Sequence, residues 1–225
     1  VASGDLGTVT YKRTNTDEAV GTYQKVLTAE YESNSNYVVI VEKGDFTIKT
    51  AIIEDAVLTA AGGSWIYDGM AHEAKAELTN APGYTIYYKT GNGEWSTTAP
   101  SVTNVDDGTV TVSVKATRTG YEDLAAEDVT ITITARPATI VVDNKSKSYS
   151  DIDPLFTGQI QGLIADGDLG SVVYHRIDAD KNKEAVGADI TLTASYRENS
   201  NYKVEVKNGK LNITALNTNT VNVTG

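Results

Sequence analysis

The chain of 225 residues contains no cysteine. That single absence removes disulfides, thiolate metal sites and cysteine nucleophiles together. Small secreted domains with thin cores are normally stapled by disulfides, so modules built without them are expected to hold themselves by their cores. Histidine is nearly absent too, with two residues, and there are only four prolines, two phenylalanines and one methionine. No apolar run approaches the ~20 residues that a membrane helix needs. No signal peptide opens the sequence, so targeting and anchoring segments of an exported parent are expected outside it. Basic residues are outnumbered, 19 Lys and Arg against 30 Asp and Glu, for a formal charge of −11. An acidic surface repels phosphate backbones and anionic lipids, so neither nucleic acid nor membrane contact is expected.

What is present points to strands. The chain is 40% hydrophobic, enough for packed cores, and rich in Val, Thr, Ile and Tyr, which suit a pleated, half-buried surface. Thr8 to Lys12, Thr109 to Lys115 and Asp128 to Thr134 alternate apolar and polar residues. That period predicts antiparallel strands, each with one face on a core. Asn92-Gly93, Asp107-Gly108 and Asn208-Gly209 read as hairpin turns. No convincing amphipathic helix is found; Asp68 to Ala76 is short and interrupted by Gly69.

One block occurs twice. Gly4 to Arg13 reads GDLGTVTYKR and Gly167 to Arg176 reads GDLGSVVYHR. The match continues through Glu18-Ala19-Val20-Gly21 with Glu184-Ala185-Val186-Gly187, Leu27-Thr28-Ala29 with Leu192-Thr193-Ala194, and Asn34-Ser35-Asn36-Tyr37 with Asn199-Ser200-Asn201-Tyr202. The second copy has a front half, Arg136 to Ile164, which the first lacks; at ordinary strand length that is two to three strands. The chain therefore divides into 1–50, a truncated module; 51–135, a module of another type; 136–215, a complete module of the first type; and 216–225, the opening strand or linker of a following module. It reads as a slice of a longer alternating repeat protein.

Lys147-Ser148-Tyr149-Ser150-Asp151-Ile152-Asp153-Pro154, with Gly167-Asp168, Val186-Gly187, Asn201-Tyr202 and Asn208 to Ile213, resembles the MBG repeat. The middle segment is similar to the YDG-containing Ig-like modules that flank such repeats, through Tyr67-Asp68-Gly69, Trp95-Ser96 and Gly120-Tyr121. Ser150 departs from the family, which usually has Gly there. The resemblance implies surface adhesins of gut and oral bacteria, extracellular, with mucin or immunoglobulin among the host partners, and no catalytic residues. The expected fold is all-β: small antiparallel β-sandwich or β-grasp-like modules, Ig-like and MBG-type, in a linear array.

His72 and His175 have no nucleophile or carboxylate partner at recognisable spacing and read as surface residues. Asp178 to Glu184 has the alternation of a calcium loop, with Asp189 as a closing carboxylate, but Lys183 stands where the turn needs Gly and two lysines add positive charge; a solvated hairpin loop is the better reading, and no metal or cofactor is expected. An intramolecular Lys–Asn crosslink would need a buried Asn near the last strand. Asn212 points outward by parity with Leu211 and Ile213. The 13 tyrosines include the candidate ligand-binding set Tyr84, Tyr87 and Tyr88, beside Trp95; exposed Tyr and Trp can stack on sugars or anchor an interface, and more often simply cover β-surface.

Three functions compete: an adhesin spacer with or without a host-glycoprotein site, a dedicated immunoglobulin-binding segment, and a carbohydrate-binding accessory module. No pair of carboxylates can be placed together, so no enzyme is expected. The first module is expected to present an open edge, open to strand exchange with Asn217 to Thr224.

Overall fold

The computed structural model describes residues 2–216, which are strand and loop throughout apart from two short 3-10 turns, Val105–Asp107 and Asp178–Asp180. The tail proposed for strand exchange, 217–224, lies outside the described residues.

The first segment is one antiparallel sheet, β1 (Thr10–Arg13), β2 (Gly21–Glu30) and β3 (Gly44–Ile48), in that order. The middle segment pairs β4 (Val57–Ala61) with β7 (Lys75–Thr79), and β6 (His72–Glu73) with β9 (Ser101–Val102). Its main sheet is built on β10 (Val110–Thr117). One edge of β10 carries β8 (Thr85–Thr90); the other is shared by β12 (Val129–Thr134) and β11 (Leu124–Ala125), and β5 (Gly63–Ile66) lies beyond β12. Alternation does its work here. Val112, Val114 and Ala116 from β10 and Ile131 and Ile133 from β12 point to one side and are buried with Leu58, Ala74 and Val102.

The third segment has two facing sheets. β13 (Arg136–Val142) lies between β15 (Gly158–Gln161) and β18 (Tyr202–Lys207). The other sheet runs β14 (Lys145–Ser148), β19 (Gly209–Thr214), β17 (Ile190–Ser195), β16 (Val173–Arg176). Ile140, Ile190, Leu192, Leu211 and Ile213 fill the space between and are essentially inaccessible. Each such side chain contributes about 1.5–3 kcal/mol relative to exposure.

The all-β expectation holds, with two corrections of detail. Three pairings are parallel: β5 with β12, β13 with β18 and β14 with β19. A period of two reports which face is buried and is silent on the direction of the neighbour. Neither Asp107-Gly108 nor Asn208-Gly209 is a hairpin turn: the first closes the 3-10 turn between β9 and β10, the second joins β18 to β19, and each pair of strands belongs to different sheets. Gly209 is required there for closeness, not for turning: a Cβ on it would sit 2.7 Å from the carbonyl oxygen of Val142 and 2.6 Å from that of Asp143.

The repeated block folds alike in its two positions. Tyr11 faces Ala29 and Arg13 faces Leu27 in β1 and β2; Tyr174 faces Ala194 and Arg176 faces Leu192 in β16 and β17. The difference lies at Tyr37 to Glu42. Its counterpart is strand β18, whereas these six residues form no strand.

Candidate functional site

The proposed aromatic set does not share one face. Tyr84 and Tyr88 pack against the core of the middle segment, and the Tyr84 hydroxyl donates to the carbonyl of Glu122 at 2.7 Å. Desolvation raises the pKa of Tyr88. Tyr87 points the other way, beside Lys115 of the neighbouring strand. Trp95 covers this outer face, its ring centroid 5.0 Å from the Lys89 ammonium and 4.7 Å from that of Lys115. Two ammonium groups under one indole make a stabilising cover for β8 and β10. The outward pair is thus Tyr87 and Trp95.

The histidines are less plain than their spacing implied. His72 is half-buried, stacked on Trp65 at 4.7 Å, with Nε2 3.1 Å from both carboxylate oxygens of Asp68. That carboxylate sits four residues upstream, and the bend at Asp68–Met70 brings the two together; the Met70 N–H and then His72 hold Asp68 below the usual carboxylate range. His175 bonds the Ser195 hydroxyl and the carbonyl of Arg176, each at 2.7 Å. In the Asp178 to Glu184 loop, Asp180 is buried and turned inward. It pairs with Lys183 at 2.6 Å and accepts the Thr191 N–H at 2.7 Å. Among the described residues no three His, Asp or Glu side chains converge on a metal position. Asn212 is exposed between buried Leu211 and Ile213.

Sequence reasoning missed two arrangements. The first is an ion cluster in the third segment. Lys147 of β14 and Arg176 of β16, each with a side chain only 5% exposed, share Asp153 and Glu184. Lys147 Nζ lies 3.0 Å from Asp153 and 2.5 Å from Glu184. Burial opposes ionisation of Asp153, but Arg176 and Lys147 outweigh it and its pKa is lowered; Lys147 lowers that of Glu184. The four residues tie the front half of this segment to the repeated block. Only the recurrence of Arg13 and Glu18 at the matching positions signals it in sequence.

The second is the seam between the middle and third segments. Only Ala135 separates β12 from β13. Asn201 is buried there: its Oδ1 accepts the Val105 N–H at 2.8 Å, and its Nδ2 donates to Asn104 Oδ1 at 3.0 Å. Its carbonyl accepts the N–H of Arg136 at 2.9 Å. Tyr67 meets Tyr202 edge-on at 5.4 Å, and the Tyr202 hydroxyl donates to Asp168 at 2.5 Å and accepts the Ile164 N–H at 2.9 Å. At the other junction the backbone of Ala51 bonds Gly120 and Glu122, and the Thr50 hydroxyl donates to the Glu122 carboxylate at 3.4 Å.

Among the described residues no helix is long and apolar enough to cross a membrane. No curated protein sequence matches the chain. Among solved structures, the extracellular domains 3–5 of Drosophila OTK align over 75% of this chain and 68% of that one, at 12% identity and a TM-score of 0.28, a likeness too weak to argue from. Residues 138–212 match the family model of the MBG domain, YGX type, in agreement with the resemblance read from that stretch of the sequence.

Proposed function

We propose that this chain is a non-enzymatic segment of a bacterial surface repeat protein, displayed outside the cell, which serves adhesion as a stiff spacer. The match of residues 138–212 to the MBG domain and the repetition of its block support the surface-repeat reading. The observation that carries the spacer function is the seam. A buried asparagine bonding two backbone or side-chain partners of the neighbouring segment, beside a tyrosine pair, resists bending in a way that a free linker does not. The charge of −11 suits a solvated stalk.

A second reading, a host-glycoprotein or immunoglobulin site, is favoured only by the outward Tyr87 and Trp95. A carbohydrate-binding accessory role would use the same residues, but the lysines beneath Trp95 already account for its position. Interferometry on the immobilised chain with purified mucin and immunoglobulins separates these readings. Absence of saturable binding together with an extended, fixed scattering profile supports the spacer. A saturable signal lost in the Tyr87→Ala, Trp95→Ala double variant would replace it with the binding reading.

A further inference from the structure

Not one of residues 2–50 is buried. Yet this sheet carries the inward-facing residues of a sandwich. Leu27 is 37% exposed where its counterpart Leu192 is 0%. Phe46 and Ile48 of β3 are only half-buried, where Leu211 and Ile213 are buried. An open hollow of about 410 Å³ lies over Tyr11, Leu27, Ala29 and Val41. Two side-chain hydrogen bonds of the complete module are nonetheless formed here. Tyr37 donates to Asp5 at 2.6 Å as Tyr202 does to Asp168, and Asn34 reaches the Asp5 carbonyl at 3.0 Å as Asn199 reaches that of Asp168 at 3.2 Å. The sheet is formed and its cover is missing.

The second copy shows what the cover is. There β18 pairs only with β13, and in parallel; β19 is flanked by β14. Tyr37-Val38-Val39-Ile40-Val41-Glu42 has strong strand propensity and no strand partner among the described residues, which is why it forms no strand. Two further features of residues 2–50 fit the same absent element. Gly44 is a glycine without a local need for one: a Cβ there would meet only Leu27, at 3.6 Å, whereas the matching Gly209 is pressed against the backbone of Val142 and Asp143. Arg13 and Glu18 are paired with each other and are the counterparts of Arg176 and Glu184, which bind Lys147 and Asp153.

We infer that residues 2–50 are a strand acceptor for an extended segment of the Arg136–Asp153 type supplied from outside the described chain. The register follows from the second copy. A residue equivalent to Ala138 lies opposite Val39 and one equivalent to Ile140 opposite Val41, parallel. Equivalents of Lys145 and Lys147 lie opposite Phe46 and Ile48, also parallel. The Lys147 equivalent then pairs with Glu18 and the Asp153 equivalent with Arg13. Main-chain pairing supplies affinity, and the Leu27–Phe46 face and the two charges supply specificity. The inference stands apart from the spacer reading.

The test adds a synthetic peptide of residues 136–156 to the isotopically labelled full chain and follows amide exchange. The expected result is saturable one-to-one binding, with exchange of the Val38 to Val41 amides slowed at least about tenfold. Gly44→Ala, which has room in the uncovered sheet, removes the protection, and Glu18→Lys weakens binding in a way that a Lys147→Glu peptide restores. The same segment fused ahead of residue 2 through a flexible linker gives the same protection. The inference is overturned if neither the peptide at millimolar concentration nor the fusion protects these amides, or if Gly44→Ala leaves the protection intact. A peptide-free dimer with Val38 to Val41 already protected would assign the face to a second copy and overturn it equally.

Discussion

Leu27 and Leu192 occupy the same position of the same repeated block, each opposite an arginine in an identical register, and only one of them has a core around it. Leu192→Ala is expected to cost about 2–5 kcal/mol, because it opens a cavity in a packed sandwich. Leu27→Ala is expected to change stability by less than about 0.5 kcal/mol, the range of surface substitutions. Chemical denaturation of the two variants side by side checks this; equal losses would mean that residues 2–50 are covered after all.

The seam gives a second expectation. Asn201→Ala strips the Val105 N–H of its acceptor and Asn104 of a donor. A lost bond that leaves a buried partner unsatisfied costs about 1–3 kcal/mol. The substitution should also free the two segments to reorient. Residual dipolar couplings that fit one alignment tensor in the parent chain and require two in the variant would establish it; one shared tensor in both would remove Asn201 as the fastener.

Ser150 has φ of 72° in the turn after β14, the left-handed region that L residues avoid and glycine enters freely. Ser150→Gly is expected to stabilise by about 0.5–1 kcal/mol, the relief of strain exceeding the added freedom of the unfolded chain. A thermal melt that moves downward would refute this.

The ion cluster sets a pH dependence. Asp153 and Glu184 have folded pKa values below their ordinary ones. The stability they contribute is complete above the ordinary carboxylate range, near pH 4, and is lost as pH falls through the folded values. Lys147, whose pKa is raised first of all by Glu184, contributes stability that persists until pH climbs through its folded value. Asp153→Asn with Glu184→Gln should lower stability at pH 7 and flatten the acid limb of the curve. Melts from pH 7 to pH 2 with parallel acid limbs in parent and variant would show that other carboxylates govern it.

The legible parts of the fold were those in which a residue's neighbours are its sequence neighbours. The alternation at Thr109 to Lys115 reports a one-sided strand whatever lies beside it, and β10 follows. Tyr37 to Glu42 shows the limit: six residues of high strand propensity stay irregular because a strand is a pair, and the partner is not a property of the segment. Parallel pairing escaped for the same reason. In the candidate site, the outward orientation of half-buried Tyr87 beside polar Thr85 and Lys89 was readable from parity, whereas Lys147 of β14 and Arg176 of β16 meet Asp153 and Glu184 only because those strands share a sheet and the loops carrying the two carboxylates fold back on it, and no spacing announces them. Asp68 and His72, four apart, were within reach of inspection; without a helix to bring them together, only the bend does so.

The parallel pairs have a mechanical meaning. The third segment is entered along β13 and left along β19, each lying beside a strand of its own direction. Tension passing through Arg136 and Thr214 therefore pulls each terminal strand lengthwise past its neighbour, loading its row of cross-strand bonds together instead of peeling them one at a time. A molecule tethered at one end and tugged at the other would yield here late and abruptly.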